Sequence, residues 1–261
     1  MLPGFLRELA QYSHLILSFA QRDIRARYKQ TMFGVAWAIL QPFSLMLVFT
    51  LVFSKVAKLP SDGIPYPLFA YTALVFWTYF ATTINQGTVA LTANGNLVRK
   101  IYFPRETLLL SVILSASFDL AIALTLLVAL FFFFGVGLSW MVFWVVPLFL
   151  AQVLFTLGLI CLTSSLHVYF RDLAHALPLL LQLWMFATPV AYPLSLVPDR
   201  LLPWYLLNPM ASIIESYRTV LVRGEQPDLQ LLAFELLAGL VFVVAAYLIF
   251  KRAERNFADV I

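Results

Sequence analysis

Ionisable side chains set inside long apolar runs are the residues of this sequence whose chemistry needs an explanation. Asp119 lies within 108–134, a run holding eighteen Leu, Ile, Val or Phe residues. Each of these returns about 0.3–0.6 kcal/mol on entering a bilayer, so a penalty near 3 kcal/mol for one carboxylate is carried, but the group must still face a partner or water. Asp119 is therefore a proton site, a polar position lining a pathway, or a carboxyl hydrogen-bonded to Ser115, Ser117 or a neighbouring helix. Glu235, near the start of the last apolar run, is the second such group. Together they would serve an ion-coupled carrier, although that mechanism usually uses more carboxylates. Arg22, Arg25, Arg27 and Lys29 crowd one short stretch, and Glu215 and Arg218 stand three apart, the spacing of neighbours on a helix face.

Other reactive constellations are missing from the sequence. It contains no Gly-x-x-x-x-Gly-Lys-Ser/Thr phosphate loop, no His-Glu-x-x-His, no Cys-x-x-Cys and no Gly-x-Ser-x-Gly elbow. His14, His167 and His175 are too scattered for a metal site, and Cys161 is the single cysteine. The expectation is no catalytic residue and no bound metal or cofactor in this chain. A membrane-embedded glycosyltransferase would need clustered carboxylates, whereas the thirteen acidic residues are dispersed. Aromatic residues are plentiful, and Trp37, Tyr71, Trp77, Tyr79, Trp184 and Tyr192, with Asp119, are candidates to line a channel. A ring facing a channel stacks on sugars without fixing them by charge; belt anchoring and packing are the alternatives for each.

The elements that must position these groups follow from composition. Of 261 residues, 62% are hydrophobic and 11% charged, against about 25% charged in a soluble domain, which excludes a water-soluble globule. Charge-free runs place membrane spans at 31–54, 65–86, 107–134, 140–166, 175–192 and 230–250, the third and fourth divided by Gly135-Val136-Gly137-Leu138-Ser139. The fold class is thus all-α integral membrane, one transmembrane domain over 1–261. With both termini inside, twelve Lys and Arg flank the inner side and five the outer, so basic flanks favour cytoplasmic termini.

Residues 5–29 read as an amphipathic interface helix. Phe5, Leu9, Tyr12, Ile16 and Phe19 form one stripe, and Arg7, Gln11, His14, Ser18, Gln21 and Arg25 the opposite one. Packing on other helices is the alternative. Between the last two spans, Pro189, Pro193, Pro198, Pro203 and Pro209 punctuate an interrupted apolar stretch. The region 199–228 therefore reads as a broken, re-entrant outer gate, with a solvated external loop as the alternative.

Several segments then become recognisable: Arg22-Asp23-Ile24-Arg25-Ala26-Arg27-Tyr28-Lys29-Gln30-Thr31, followed by Phe33-Gly34, Trp37-Ala38 and Gln41-Pro42; Asn96-Leu97-Val98-Arg99-Lys100-Ile101-Tyr102-Phe103-Pro104-Arg105-Glu106; Tyr169-Phe170-Arg171-Asp172; Leu207-Asn208-Pro209-Met210; and Phe257-Ala258-Asp259-Val260-Ile261. In order and over the whole chain they resemble the membrane subunits of ABC-2 type polysaccharide and polyol-phosphate exporters, including those for O-antigen, capsule and teichoic acid. The resemblance implies an ABC-2 (type V) exporter fold in a bacterial cytoplasmic membrane, working as a homodimer on two copies of a separate ATPase that carries ATP and magnesium, and moving an undecaprenyl-linked glycan. By the same resemblance Arg22, Arg25, Arg27 and Lys29 meet the lipid head group at a cytoplasmic gate. The 88–106 loop, through Asn96, Arg99, Lys100, Phe103, Pro104, Arg105 and Glu106, couples to the ATPase. Asn208 and Pro209 join Glu215 and Arg218 at the outer gate. A drug or lipid exporter of the ABC-2 class is the nearest alternative.

Overall fold

The computed structural model describes residues 12–29 and 31–260, so the first turns of the expected interface helix, with Phe5, Arg7, Leu9 and Gln11, lie outside the described residues, as do Gln30 and Ile261. No strand occurs among the described residues. Helix α1 (Ser13–Tyr28) leads into a span from Gly34 to Val56, whose central part is α2 (Trp37–Phe49). Then come α3 (Tyr66–Ala93), the short α4 (Gly95–Lys100), α5 (Glu106–Phe134), α6 (Val145–Tyr169), α7 (Leu173–Phe186), α8 (Leu202–Leu206), α9 (Pro209–Arg218), α10 (Leu229–Glu254) and α11 (Phe257–Val260). Among the described residues, five segments are long and apolar enough to cross a membrane: Gly34–Val56, Tyr66–Ala93, Glu106–Phe134, Trp140–Tyr169 and Leu229–Glu254.

Helix α3 is the centre of the bundle. Nearly every residue from Leu68 to Phe80 is buried, including the faces that on an outer helix would meet lipid. Three of its threonines, Thr72, Thr83 and Thr88, donate to carbonyls one turn back, at Leu68, Tyr79 and Ile84, over 2.7–2.8 Å. The helix runs beyond the expected 65–86 limit to Ala93, so the stretch 88–106 is part helix and part loop. At the 135–139 break, Gly135 takes φ +67, and the Ser139 side chain accepts from Met141 N, capping the turn that follows.

The expected fifth span, 175–192, takes a different form. Helix α7 has 14 residues and is about 21 Å long, short of the roughly 30 Å hydrocarbon core. Its end is built into the fold, because the Trp184 indole donates to the Asn208 side chain over 3.0 Å and Asn208 donates to the Thr188 hydroxyl over 2.9 Å. The chain leaves the helix after Phe186, and α8 and α9 return towards the bundle. Helix α9 is the buried part of this return, with Met210 to Ile214 and Ser216 to Arg218 all buried. Val220 to Val222 beyond it are buried as well.

Helices α6 and α10 meet closely at Gly158 and Gly239, the small-residue approach available to membrane helices. A Cβ on Gly158 would sit 2.5 Å from Phe242 Cδ1, and one on Gly239 would sit 3.3 Å from Leu154 Cβ. Gly158→Val should force the Phe242 ring away from Phe155, its neighbour at 5.5 Å, at about 1–3 kcal/mol. Thermal unfolding in detergent is expected to show the loss, and an unchanged melting temperature would mean the close approach is dispensable.

Two ends of the bundle can be distinguished. At one, Phe19 of α1 meets Phe103 at 5.9 Å and α11 packs on α4. At the other, Arg223 pairs with Asp62 at 3.2 Å and Ser195 donates to Asp62 over 3.0 Å.

Candidate functional site

The described part of the amphipathic helix, α1, packs on α5. Its inward face is Tyr12, Ile16, Phe19, Ala20, Asp23, Ile24, Arg27 and Tyr28, all half-buried or buried, while Arg25 and Lys29 are exposed. The face continues the apolar stripe at steps of three and four, and the chain's turn therefore delivers Arg27 and Tyr28 to α5.

There they meet Asp119. Arg27 Nη1 is ion-paired and hydrogen-bonded to Asp119 Oδ2. The Tyr28 hydroxyl donates to Asp119 Oδ1 over 2.7 Å, and Arg27 Nη2 donates to Gln86 Oε1 of α3 over 2.6 Å. Both carboxylate oxygens are thus used by α1, whereas Ser115 and Ser117, the expected local partners, donate to carbonyls of their own helix at Val112 and Ile113. Burial pushes the Tyr28 phenol above its ordinary value, against the opposing pull of Arg27, so it stays a neutral donor.

This cluster forms one wall of a cavity of about 320 Å³ between α1, α2, α3 and α5. Trp37 and Gln41 come from α2, Tyr79 and Gln86 from α3, and Thr31 from the connection after α1. The cavity combines a cation, a carboxylate, amides and hydroxyls with aromatic faces. Such a wall can bind an anionic or polyhydroxylated group, and it holds no nucleophile and base in catalytic arrangement. Among the described residues no three His, Cys, Asp or Glu side chains gather as a metal site.

The expected site residues divide on this frame. Of the basic cluster, Arg27 alone is turned into the cavity; Arg22 pairs with Asp23 at 2.9 Å and sits over Phe19, and Arg25 and Lys29 are exposed. Of the aromatic candidates, Trp37 and Tyr79 line the cavity with Asp119. Tyr71 and Trp77 are buried within the chain, Tyr71 donating to the Ala123 carbonyl over 3.0 Å and Trp77 lying against Trp184 at 6.3 Å. Tyr192 shares a 2.8 Å hydrogen bond with Tyr205.

In the α4 region, Asn96, Arg99 and Lys100 are exposed, with Ile101 and Tyr102 beside them at 56% and 89% exposure. Pro104 and Arg105 are half-buried, and Phe103 and Glu106 point inward. Glu106 accepts from Lys251 over 2.9 Å and from the Tyr247 hydroxyl over 3.1 Å, while Lys251 also reaches Glu254 at 2.8 Å and Arg105 reaches Glu254 at 3.4 Å. The loop before α5 is thus fastened to the end of α10.

At the opposite end Arg218 is fully buried and donates to the carbonyls of Pro189 and Val190 over 2.5 and 2.7 Å. It lies 3.6 Å over the Phe69 ring and pairs with Glu215 at 3.4 Å, which Arg223 also holds at 2.8 Å. Asn208 caps α9 by accepting from Met210 N, with Pro209 at its first turn.

Tyr28, Gln41 and Tyr102 stand in the recognisable segments without a role of their own, and Gln86 carries no signal in the sequence. Tyr28 was within reach, since it follows Ile24 and Ala20 by helical steps on the inward face. The amides carry no signal until tertiary packing brings four helices together.

Comparison with known proteins gives a consistent picture. The sequence model of the ABC-2 type transporter family matches residues 14–222. An O-antigen export system permease protein RfbA from Myxococcus xanthus is 34% identical over 257 residues, 97% of this chain and 98% of the relative. One of the same name from Klebsiella pneumoniae is 27% identical over 250 residues, 95% of each chain. The polysialic acid transport protein KpsM of Escherichia coli is 25% identical over 239 residues, 87% of this chain and 89% of the relative.

Proposed function

The chain belongs to the ABC-2 type transporter family and is a transporter's membrane subunit; on that premise we propose that it exports a lipid-linked polysaccharide such as O-antigen across the bacterial cytoplasmic membrane. Similarity over nearly the full length to permeases named for O-antigen export supports the substrate class. The chain works as a homodimer on two copies of a separate ATPase that binds ATP and magnesium, and the end carrying α1 and α11 faces the cytoplasm.

The observation that carries the reading is the cavity beside the basic cluster, with a guanidinium, amides and aromatic faces on one wall. Arg27 within it, with Arg22, Arg25 and Lys29 exposed on the same short stretch of chain, attracts the pyrophosphate of an undecaprenyl-linked glycan, at about 1 kcal/mol per charge near an anionic surface. The exposed Asn96, Arg99 and Lys100 meet the ATPase. Phe103, Pro104, Arg105 and Glu106 pass its movement inward, and Asn208, Pro209, Glu215 and Arg218 frame the outer exit. An ion-coupled carrier using Asp119 is disfavoured, because both of its carboxylate oxygens are engaged by α1.

The reading is tested by affinity purification from native membranes with vanadate-sensitive ATP hydrolysis, and by surface glycan blotting in a strain lacking the chain. A phosphate-loop ATPase in equal copy number, and restored surface glycan, are expected. Arg22→Gln/Arg25→Gln/Lys29→Gln should lower export at least about tenfold, since three lost charges at about 1 kcal/mol each exceed the 1.4 kcal/mol of one decade. Unchanged export at normal abundance and orientation would remove the head-group role.

A further inference from the structure

We propose that Asp119 is a stand-in anion: it occupies the place on Arg27 that the diphosphate group of the transported lipid takes over on binding. The inference rests on the head-group contact proposed above and adds how that contact is regulated.

Two arginines in the chain show the contrast on which it stands. Arg218 is fully buried and gives its N–H groups to backbone carbonyls that cannot leave, the arrangement of a permanent structural group. Arg27 keeps 25% of its side chain exposed and Asp119 keeps 18%, and both line the cavity of about 320 Å³. That volume is at the lower end of the range of small-molecule pockets.

Around Asp119 the donors converge as they would on a phosphate. Arg27 reaches one oxygen and the Tyr28 hydroxyl the other, while the second arm of the guanidinium is steadied by Gln86. Planar guanidinium forks bind carboxylate and phosphate in the same geometry. A diphosphate entering the cavity therefore finds donors already aimed at an anion, and its greater charge lets it displace the single carboxylate. Exchange leaves Asp119 without its partner and loosens α1 from α5, so the internal pair keeps an empty transporter closed to weaker anions.

The test uses the purified complex with its ATPase partner in nanodiscs. The probes are farnesyl diphosphate as a lipid-borne anion, inorganic diphosphate as a free one and farnesol as the uncharged control. Asp119→Asn removes the competing charge and leaves the size of the side chain, so farnesyl diphosphate should bind about tenfold tighter or better. Arg27→Gln should weaken it at least as much, alone or combined with Asp119→Asn, and Asp119→Glu should bind like the native protein. Asp119→Ser carries the same test if the Asn variant does not accumulate.

Equal or weaker binding by the neutral Asp119 variants, with Arg27→Gln still weakening it, overturns the stand-in role and leaves the head-group contact intact. Binding untouched by Arg27→Gln and by loss of Arg22, Arg25 and Lys29 overturns the head-group contact itself. Tightening confined to farnesyl diphosphate supports the seat with a lipid head group as occupant. Equal tightening with inorganic diphosphate supports it with free anion as occupant. Tightening with farnesol alike would mean general loosening of the cavity and overturns it.

Discussion

Replacing Arg218 with Met is expected to lower the apparent melting temperature of the protein by about 10 °C or more and to cut its abundance in the membrane. The side chain is fully buried, yet it satisfies two carbonyls, at Pro189 and Val190, that have come out of helical geometry between α7 and α8. Each of the two orphaned buried carbonyls costs about 1–3 kcal/mol, while Glu215 keeps Arg223 at 2.8 Å. At about 2–4 °C per kcal/mol for a chain near this size, the sum gives the expected shift. Met keeps most of the packing against Phe69, so the loss isolates the polar term. Arg218→Lys should be nearly as damaging, because an ammonium lacks the planar fork and stacks poorly on the ring. Fluorescence-detected thermal unfolding decides the matter: a Met variant melting within 2 °C of native, about half a kcal/mol, would show that the carbonyls find other partners.

The second large effect is expected at the loop before α5. Glu106→Lys sets a positive charge against Lys251, now 2.9 Å from the carboxylate, and near Arg105, which shares Glu254 with Lys251. Like charges at that separation push the 101–105 loop away from the end of α10. Export should fall at least about tenfold while vanadate-sensitive ATP hydrolysis by the complex stays within about twofold, since a tenfold change needs only 1.4 kcal/mol at the junction. Glu106→Lys/Lys251→Glu restores opposite charges and should recover much of the export. Export and hydrolysis falling together would mean that the junction stabilises the assembly and has no part in transmission. An inactive double variant with native abundance would place the importance of Glu106 elsewhere.

Local and tertiary information divide cleanly in these elements. The break at 135–139 is legible because Gly135 and Ser139 act on their own neighbours, one through positive φ and one through a cap. Asp119 announces itself as a group needing a partner, by charge in an apolar run. Its partner is not legible, because Arg27 lies 92 residues away and belongs to a cluster whose other members face out. The same holds for Arg218: its spacing from Glu215 suggests a surface pair, whereas its burial depends on α9 folding back beneath Pro189. The short α7 was concealed by composition, since hydropathy continues through Pro189 to Val190 after the helix has ended.

The pair between Arg27 and Asp119 also sets an order of events during synthesis. Ninety-two residues separate its members, so at about 5–20 residues per second Arg27 waits about 5–18 s for its partner to be made. Throughout that interval its charge stands with Arg22, Arg25 and Lys29 in the basic flank of the first span, where such charge orients insertion. Only when the helix bearing Asp119 enters the bilayer is the arginine drawn from that flank into the bundle. One side chain thus acts first as a topological signal and later as a tertiary contact, and the N-terminal helix docks only after the spans that receive it are in place.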